Sequence, residues 1–574
     1  MAARLTAYIV AFIVGLTLIA GLIVGAQRSD DGPVDLIIVN GKVFTGQESL
    51  AEAVAVQGNK VLRVGTNREI QRLARAQTTV IDAKGGSVLP GFNDAHVHMM
   101  SGGLSLDQVS LSEATTLESV RETLKAWADA NPTHDWIRGR GWLYAPFGDG
   151  LPTRQMLDQL VPDRPAYLVS YDGHTGWANT AALHLAGITR ASTPPVNGTI
   201  VKDTHGEPTG VLKEAAMSLM SQAMPVSSRD DKLSALRAAV VEANRVGITS
   251  VQNAGGSAED LGLYDELRKR GELTVRVYQA LTVEPTATTE DVDRLDRARE
   301  QFQDDPLLKT GAVKLMADGV VETRTAAMLE PYLGGDERGE LRASAADFSR
   351  LVTELDARGW QVMTHAIGDA AIREVLDAYE AARTANPTPE RGRRHRIEHI
   401  ETPDPKDVPR FGTLGVVASV QPAHGLPPDP AGPWASNLGP ERTARGWMSG
   451  SLAKGGATLA YGSDWPVVSL DPLRGIFVAV NRTSFDGEPE GGWMPEERLS
   501  LRDAIRAFTS GAAWASFDEL RKGTLDRDML ADIVILSADI FALPPDRLLE
   551  AEVVMTIMDG KVVFRRDAPE STDQ

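Results

Sequence analysis

The sequence predicts an α/β chain built on a (β/α)8 TIM barrel, with a composite β-sandwich domain from both chain ends and a large insertion after strand 1. Three observations carry this. Between residues 88 and 524, eight short β-branched runs alternate with helix-patterned stretches, as repeated βα units do. The two ends of the chain repeat one strand–turn–strand pattern. Residues 93–247 separate the first run from the second, far more than a βα connection needs.

The elements follow in order. Leu5 to Ala26 is an uncharged apolar run, preceded by Arg4 and followed by Gln27 and Arg28. About 20 apolar residues span a bilayer as a helix, whereas a signal-peptide core is usually roughly 7–15 residues. Val24-Gly25-Ala26 nonetheless resembles a small-residue cleavage site. Residues 1–28 are therefore expected to be a transmembrane anchor or a signal peptide. Both export the rest of the chain, because the positive end stays cytoplasmic. The expected location is the inner membrane facing the periplasm, or the periplasm or medium.

Residues 33–87 and 525–566 are expected to form the two parts of the β-domain. Asp35–Phe44 reads as two strands around an Asn40-Gly41 turn, and 53–64 as a hairpin around Gly58-Asn59. At the far end, 532–536 and 553–564 read as strand, then strand–turn–strand around Asp559-Gly560. The barrel is expected over 88–524, its strands at 88–92, 248–253, 275–281, 312–318, 361–367, 395–400, 416–421 and 458–464. The insertion, about 100–230, holds Trp127, Trp136, Trp142, Tyr144, Tyr167, Tyr171 and Trp177. Long loops on the C-terminal face of a barrel shape the active site; a helical cap with its own core is the plainer reading, and the two are compatible.

Composition narrows the chemistry. Of 574 residues, 42% are apolar and 24% charged, ordinary for a globular chain. A formal charge of −19 argues against a nucleic-acid partner, which requires a basic surface. There is no cysteine, so a disulfide framework, a thiolate metal site and a cysteine nucleophile are excluded. Any metal must be held by His, Asp, Glu or Lys.

The ten histidines are few enough to inspect singly. His96 and His98 follow the first run, and residues two apart in extended chain face the same side. His365 and His399 end the fifth and sixth runs, Asp464 ends the eighth, and Lys314 lies in the fourth. The C-terminal ends of barrel strands are where catalytic groups gather. Any one of these histidines alone reads as a hydrogen-bonded core residue; the ensemble reads as a metal centre.

The segments LPGFNDAHVH, GRGW, DGHTGWANTAAL, TGVLKE, GITSV, VKLMADG, THAIGDAAI, RIEHIE, SVQPAH and GSDWPV together resemble the amidohydrolase superfamily. More narrowly, they resemble its family 3 branch, which includes N-substituted formamide deformylases. Gln252-Asn253 departs from the pattern, standing where an acid or histidine is expected. The resemblance implies two divalent metals, expected to be zinc. His96, His98 and Asp464 would hold one, His365 and His399 the other, with Lys314 bridging as an N-carboxylated lysine. Lys314 as a plain cation for a substrate carboxylate, and Glu214 as the bridge, remain alternatives. It further implies hydrolysis of a non-peptide C–N bond of an N-acyl or N-formyl amine by metal-activated hydroxide, with Asp464 shuttling the proton. Trp142, His174 and His424 are the expected contacts to a small-molecule substrate. A lactonase or esterase on the same site, and a catalytically silent membrane-tethered binding protein, stay open, as does a homodimer.

Overall fold

The computed structural model describes residues 33–567, apart from 149, 172, 196, 197, 303 and 304. The apolar run 5–26 lies outside the described residues; among those described, no helix is long and apolar enough to cross a membrane.

Eight parallel strands form the barrel in chain order: Phe92–Val97, Ile248–Asn253, Arg276–Thr282, Leu308–Met316, Gln361–Ala366, Arg396–His399, Val417–Val420 and Leu459–Tyr461. The seam between the last and the first is drawn together at its C-terminal end. There the Asp464 N–H donates to the His96 carbonyl (2.6 Å) and the His98 N–H to the Trp465 carbonyl (2.9 Å). Helices such as Ala345–Ala357 and Asp369–Ala385 cover the outside, burying Leu351, Leu355, Ile372 and Leu376 against the sheet.

The first barrel strand is shifted from its expected place. Ser87–Pro90 belongs to an outer sheet, paired with Lys42–Phe44 and Ile533–Leu536, and the chain enters the barrel only at Phe92. The apolar run is continuous across the crossing, so periodicity does not reveal it. The crossing point is Gly91, where a Cβ would lie 2.3 Å from the Thr249 hydroxyl.

The two chain ends build a β-sandwich. One sheet has Lys60–Gly65, Ala53–Gln57, Leu36–Val39 and Thr79–Asp82; the other has Lys561–Arg565, Val553–Met558, Ile533–Leu536, Ser87–Pro90, Lys42–Phe44 and Leu50–Ala51. Ile38, Val54 and Val56 of the first sheet share a core with Val43, Val88, Ile533 and Ile557 of the second. The expected hairpin around Asn40-Gly41 is absent. Leu36–Val39 and Lys42–Phe44 lie in different sheets, and Asn40, in the left-handed region (φ 56°), carries the chain from one to the other.

The insertion has its own core, but it is not a helical cap. A six-stranded mixed sheet runs Gly198–Lys202, Pro208–Glu214, Thr175–Ala178, Ala166–Ser170, Ile137–Trp142 and Val109–Ser110. Helix Leu117–Ala130 packs Val120 and Leu124 against one face. Glycines and arginines within Ile-Arg-Gly-Arg-Gly-Trp hide the strand alternation from a pattern reading.

Candidate active site

Strand ends set the functional side chains. His96 lies in the first barrel strand, and His98 immediately precedes the helix Met99–Ser105. Lys314 and His365 lie in the fourth and fifth strands, and His399 is the last residue of the sixth. His424 sits in the turn Pro422–Gly425 after the seventh strand, and Asp464 just past the eighth. His399 (φ 74°) and Asp464 (φ 59°) both adopt left-handed backbone, which is unfavourable outside glycine and concentrates at functional sites.

The Asp464 carboxylate is the hub. Its Oδ1 lies 3.0 Å from His98 Nε2 and 3.4 Å from His96 Nε2; its Oδ2 lies 3.9 Å from His399 Nδ1 and 3.8 Å from His424 Nε2. His96, His399 and Asp464 each offer a ligand atom within 4.8 Å of the others. His365 packs its ring 4.6 Å from that of His399, and its Nε2 donates to the Gly319 carbonyl (3.1 Å). That bond leaves Nδ1 as the lone-pair nitrogen of His365. Lys314 is buried and borders the same cavity. His96 Nε2, His399 Nδ1 and His424 Nε2 are buried with no hydrogen-bond partner. Burying so many unsatisfied polar atoms together is costly unless something coordinates them, and a nitrogen–oxygen donor set suits a divalent ion.

The electrostatics keep the donors in ligand form. Burial, then the Lys314 charge, pushes His96 down to about 4 and His365 to about 3. Burial pushes His399 well below its ordinary value too, reinforced by His365 and His96. Burial alone would raise Asp464, but His96, His98 and His399 more than offset it and hold the carboxylate ionised. Burial lowers the Lys314 ammonium, although Glu398 and Asp464 pull the other way.

Behind these residues lies a layer that the sequence reading missed. Glu398 Oε2 is 2.5 Å from His96 Nδ1, and Arg396 grips both Glu398 oxygens (2.7 and 2.9 Å). Arg396 also donates to Gln252, whose amide donates to the Ala512 carbonyl (2.7 Å). The departure at Gln252 thus serves this support, and Asn253 accepts the Met99 N–H (2.8 Å) below the His98 helix. Asp318 accepts the N–H groups of Ile367, Gly368 and Ala327 and orders the loop after His365. A signal was available: Arg396 and Glu398 alternate with the facing direction of a barrel strand, so two charges there point into the barrel and need partners.

A cavity of about 700 Å³ opens over this cluster, bordered by His98, Lys314, His365, His399, His424 and Asp464. Trp434 and Trp447, stacked at 4.8 Å, form an apolar wall with Val467 and Val468. From the insertion, Tyr171 and His174 reach the cavity. His174 Nδ1 lies 3.1 Å from Glu214 Oε2, so Glu214 is engaged by the insertion and is not part of the central cluster. Trp142, expected against substrate, is fully buried in the insertion core. Its indole N–H donates to the Leu168 carbonyl (3.1 Å) and its ring packs edge-on to Tyr144, Phe147 and Trp177.

Comparison with known proteins adds an independent line. A family model described as "Amidohydrolase family" matches residues 79–564. The chain is 34% identical over 549 residues to Protein LONG AFTER FAR-RED 3 of Arabidopsis thaliana, covering 92% of this chain and 91% of that protein. It is 28% identical to the N-substituted formamide deformylase of Arthrobacter pascens, covering 93% and 98%. A crystal structure of an uncharacterized metal-dependent hydrolase from Pyrococcus horikoshii superposes with a TM-score of 0.70 at 25% identity, covering 89% and 99%.

Proposed function

This chain belongs to the amidohydrolase family, and from that premise we propose that it cleaves a non-peptide carbon–nitrogen bond in an N-acyl or N-formyl amine. The observation that carries this is the convergence of the unpartnered buried His96 and His399 nitrogens on the Asp464 carboxylate under an open cavity. The similarity to a formamide deformylase supports the bond type.

Two divalent ions, zinc by donor chemistry, would be held by His96, His98 and Asp464 and by His365 and His399. Lys314 would contribute to holding them as an N-carboxylated side chain, formed when its amine adds to carbon dioxide and loses a proton. When bound, such ions activate water and polarise the scissile carbonyl. The rest is the work of the chain itself. Asp464, ionised and facing His98 and His424, takes the proton of the attacking water and releases it to the departing amine. His424, with Nε2 unpartnered beside the cavity, donates to the developing oxyanion. Trp434 and Trp447 hold an apolar substituent and exclude water. Export through residues 1–28 places this reaction outside the cytoplasm.

The test is a hydrolysis series on metal-reconstituted protein, with matched formamides, acetamides, esters and lactones. Chelator-sensitive cleavage of the amides is expected. If esters or lactones turn over while every amide is inert, the carbon–nitrogen reading is lost and the site is an esterase.

A further inference from the structure

We propose that Arg140 is a carboxylate-recognition residue, so that the substrate carries a carboxylate beside its scissile bond. The scissile bond itself rests on the function proposed above; the anion site does not.

Arg140 lies in the insertion strand Ile137–Trp142, between its parallel neighbours Val109–Ser110 and Ala166–Ser170. The register sets it beside Val169, and Tyr171, two residues beyond Val169, borders the cavity. A bulge interrupts the pairing between Arg140 and Trp142, centred on Gly141 (φ 86°), where a Cβ would crowd the Ser112 backbone at 3.0 Å. Without the bulge, Arg140 and Trp142 would share a face. With it, Trp142 turns into the core that also holds Leu168, and Arg140 is left on the opposite face. Bulges beside active sites commonly re-aim a side chain in this way.

The surroundings of Arg140 are unusual for an arginine at its depth. It is half-buried, yet among the described residues its guanidinium has no hydrogen bond and no ion pair. Buried Arg396 and Arg276, in contrast, are gripped by Glu398 and by Asp532 and Asp559. Burial lowers the Arg140 pKa, and the opposing charge that acts on it is Asp464. Asp464 is committed to His96 and His98. A half-buried cation without a partner is costly, and the cost is recovered when a ligand supplies the anion. The planar guanidinium fork matches a carboxylate in two parallel hydrogen bonds.

The test uses a probe that binds but has no bond to cleave: 3-benzoylpropionate, in which CH2 replaces the NH of hippurate, against its neutral amide. Dissociation constants are measured by calorimetry on the metal-reconstituted protein. Wild type is expected to prefer the carboxylate by about tenfold or more. Arg140→Met should abolish the preference without weakening the neutral probe, and Arg140→Lys should retain part of it. Equal binding in wild type, or a preference that survives in a folded Arg140→Met, overturns the proposal; if Arg140→Met does not fold, Arg140→Gln carries the same comparison. Hippurate and N-formylglycine hydrolysis is followed in parallel. An Arg140-dependent preference without hydrolysis removes the carbon–nitrogen reading and leaves the anion site standing.

Discussion

Glu398 Oε2 lies 2.5 Å from His96 Nδ1, both wholly buried, with Arg396 closing on the far side of the carboxylate. The pair fixes the His96 tautomer: Nδ1 carries the proton, and Nε2 presents its lone pair toward Asp464. A carboxylate behind a ligating histidine orients the ring and raises its basicity. Glu398→Gln keeps the shape but weakens that support. Metal affinity should fall by about 10–100-fold, read by titration against a competing chelator. An unchanged affinity would show that His96 is not a ligand.

The depressed histidines make a pH prediction with a definite sign. His96 and His365 titrate at about 4 and about 3 in the folded protein, below the ordinary 6.5. Above pH 6.5 both states are neutral there and these groups contribute nothing to pH dependence. As pH falls below 6.5 the unfolded chain takes up protons that the folded chain refuses, so stability is eroded down to about pH 4 through His96 and about pH 3 through His365. In chelator-treated protein, melting temperature against pH should therefore fall less steeply between 6.5 and 4 in His96→Asn/His365→Asn than in wild type. Equal slopes would mean that the two rings are not held neutral.

The two tryptophan groups separate stability from recognition. Trp142→Ala removes a buried ring and an indole hydrogen bond from the insertion core, a loss of about 3–5 kcal/mol by analogy with other core truncations. Denaturant unfolding should register it, while the folded fraction keeps its KM. Trp447→Ala strips the cavity wall instead. It should raise KM for aryl or long-alkyl substrates about tenfold, with kcat little changed and short-chain substrates unaffected. A KM effect from Trp142→Ala, or none from Trp447→Ala, would reverse these assignments.

The same contrast explains what pattern reading reaches. Barrel strands carry β-branched runs, and their C-terminal ends gather polar residues, so His96, His365, His399 and Asp464 stand out where the chain otherwise turns apolar. Trp142 also stands out by composition, but only the register and the bulge at Gly141 show that its ring turns inward and Arg140 outward. Glu398 and Arg396 sit inside a recognised segment, yet each reads as one charged residue among many until their mutual burial is visible. Val88-Leu-Pro-Gly-Phe92 is one apolar stretch, and the change of sheet at Gly91 is a tertiary fact without a periodic signature.

Gly462 is a tight point in the closure of the barrel. Its φ is not left-handed, so the requirement for glycine is one of space: a Cβ would lie 2.3 Å from the His96 backbone nitrogen and 2.8 Å from Asp94 Oδ1. Asp94 accepts the His96 N–H (3.0 Å) and the Ser463 N–H (3.1 Å), tying the first strand to the segment that carries Asp464. The His96 backbone nitrogen and Cβ and the buried, hydrogen-bonded Asp94 carboxylate line this contact, so a methyl group has no loosely held neighbour to displace. Gly462→Ala should push the two strand ends apart, costing about 1–3 kcal/mol as overpacking does, and should separate Asp464 from His96. Metal content and turnover should therefore fall together, by more than the stability loss alone explains at temperatures where the variant remains folded. Full metal occupancy and wild-type turnover in a folded Gly462→Ala would show that closure at this seam does not set the spacing of the two ligands.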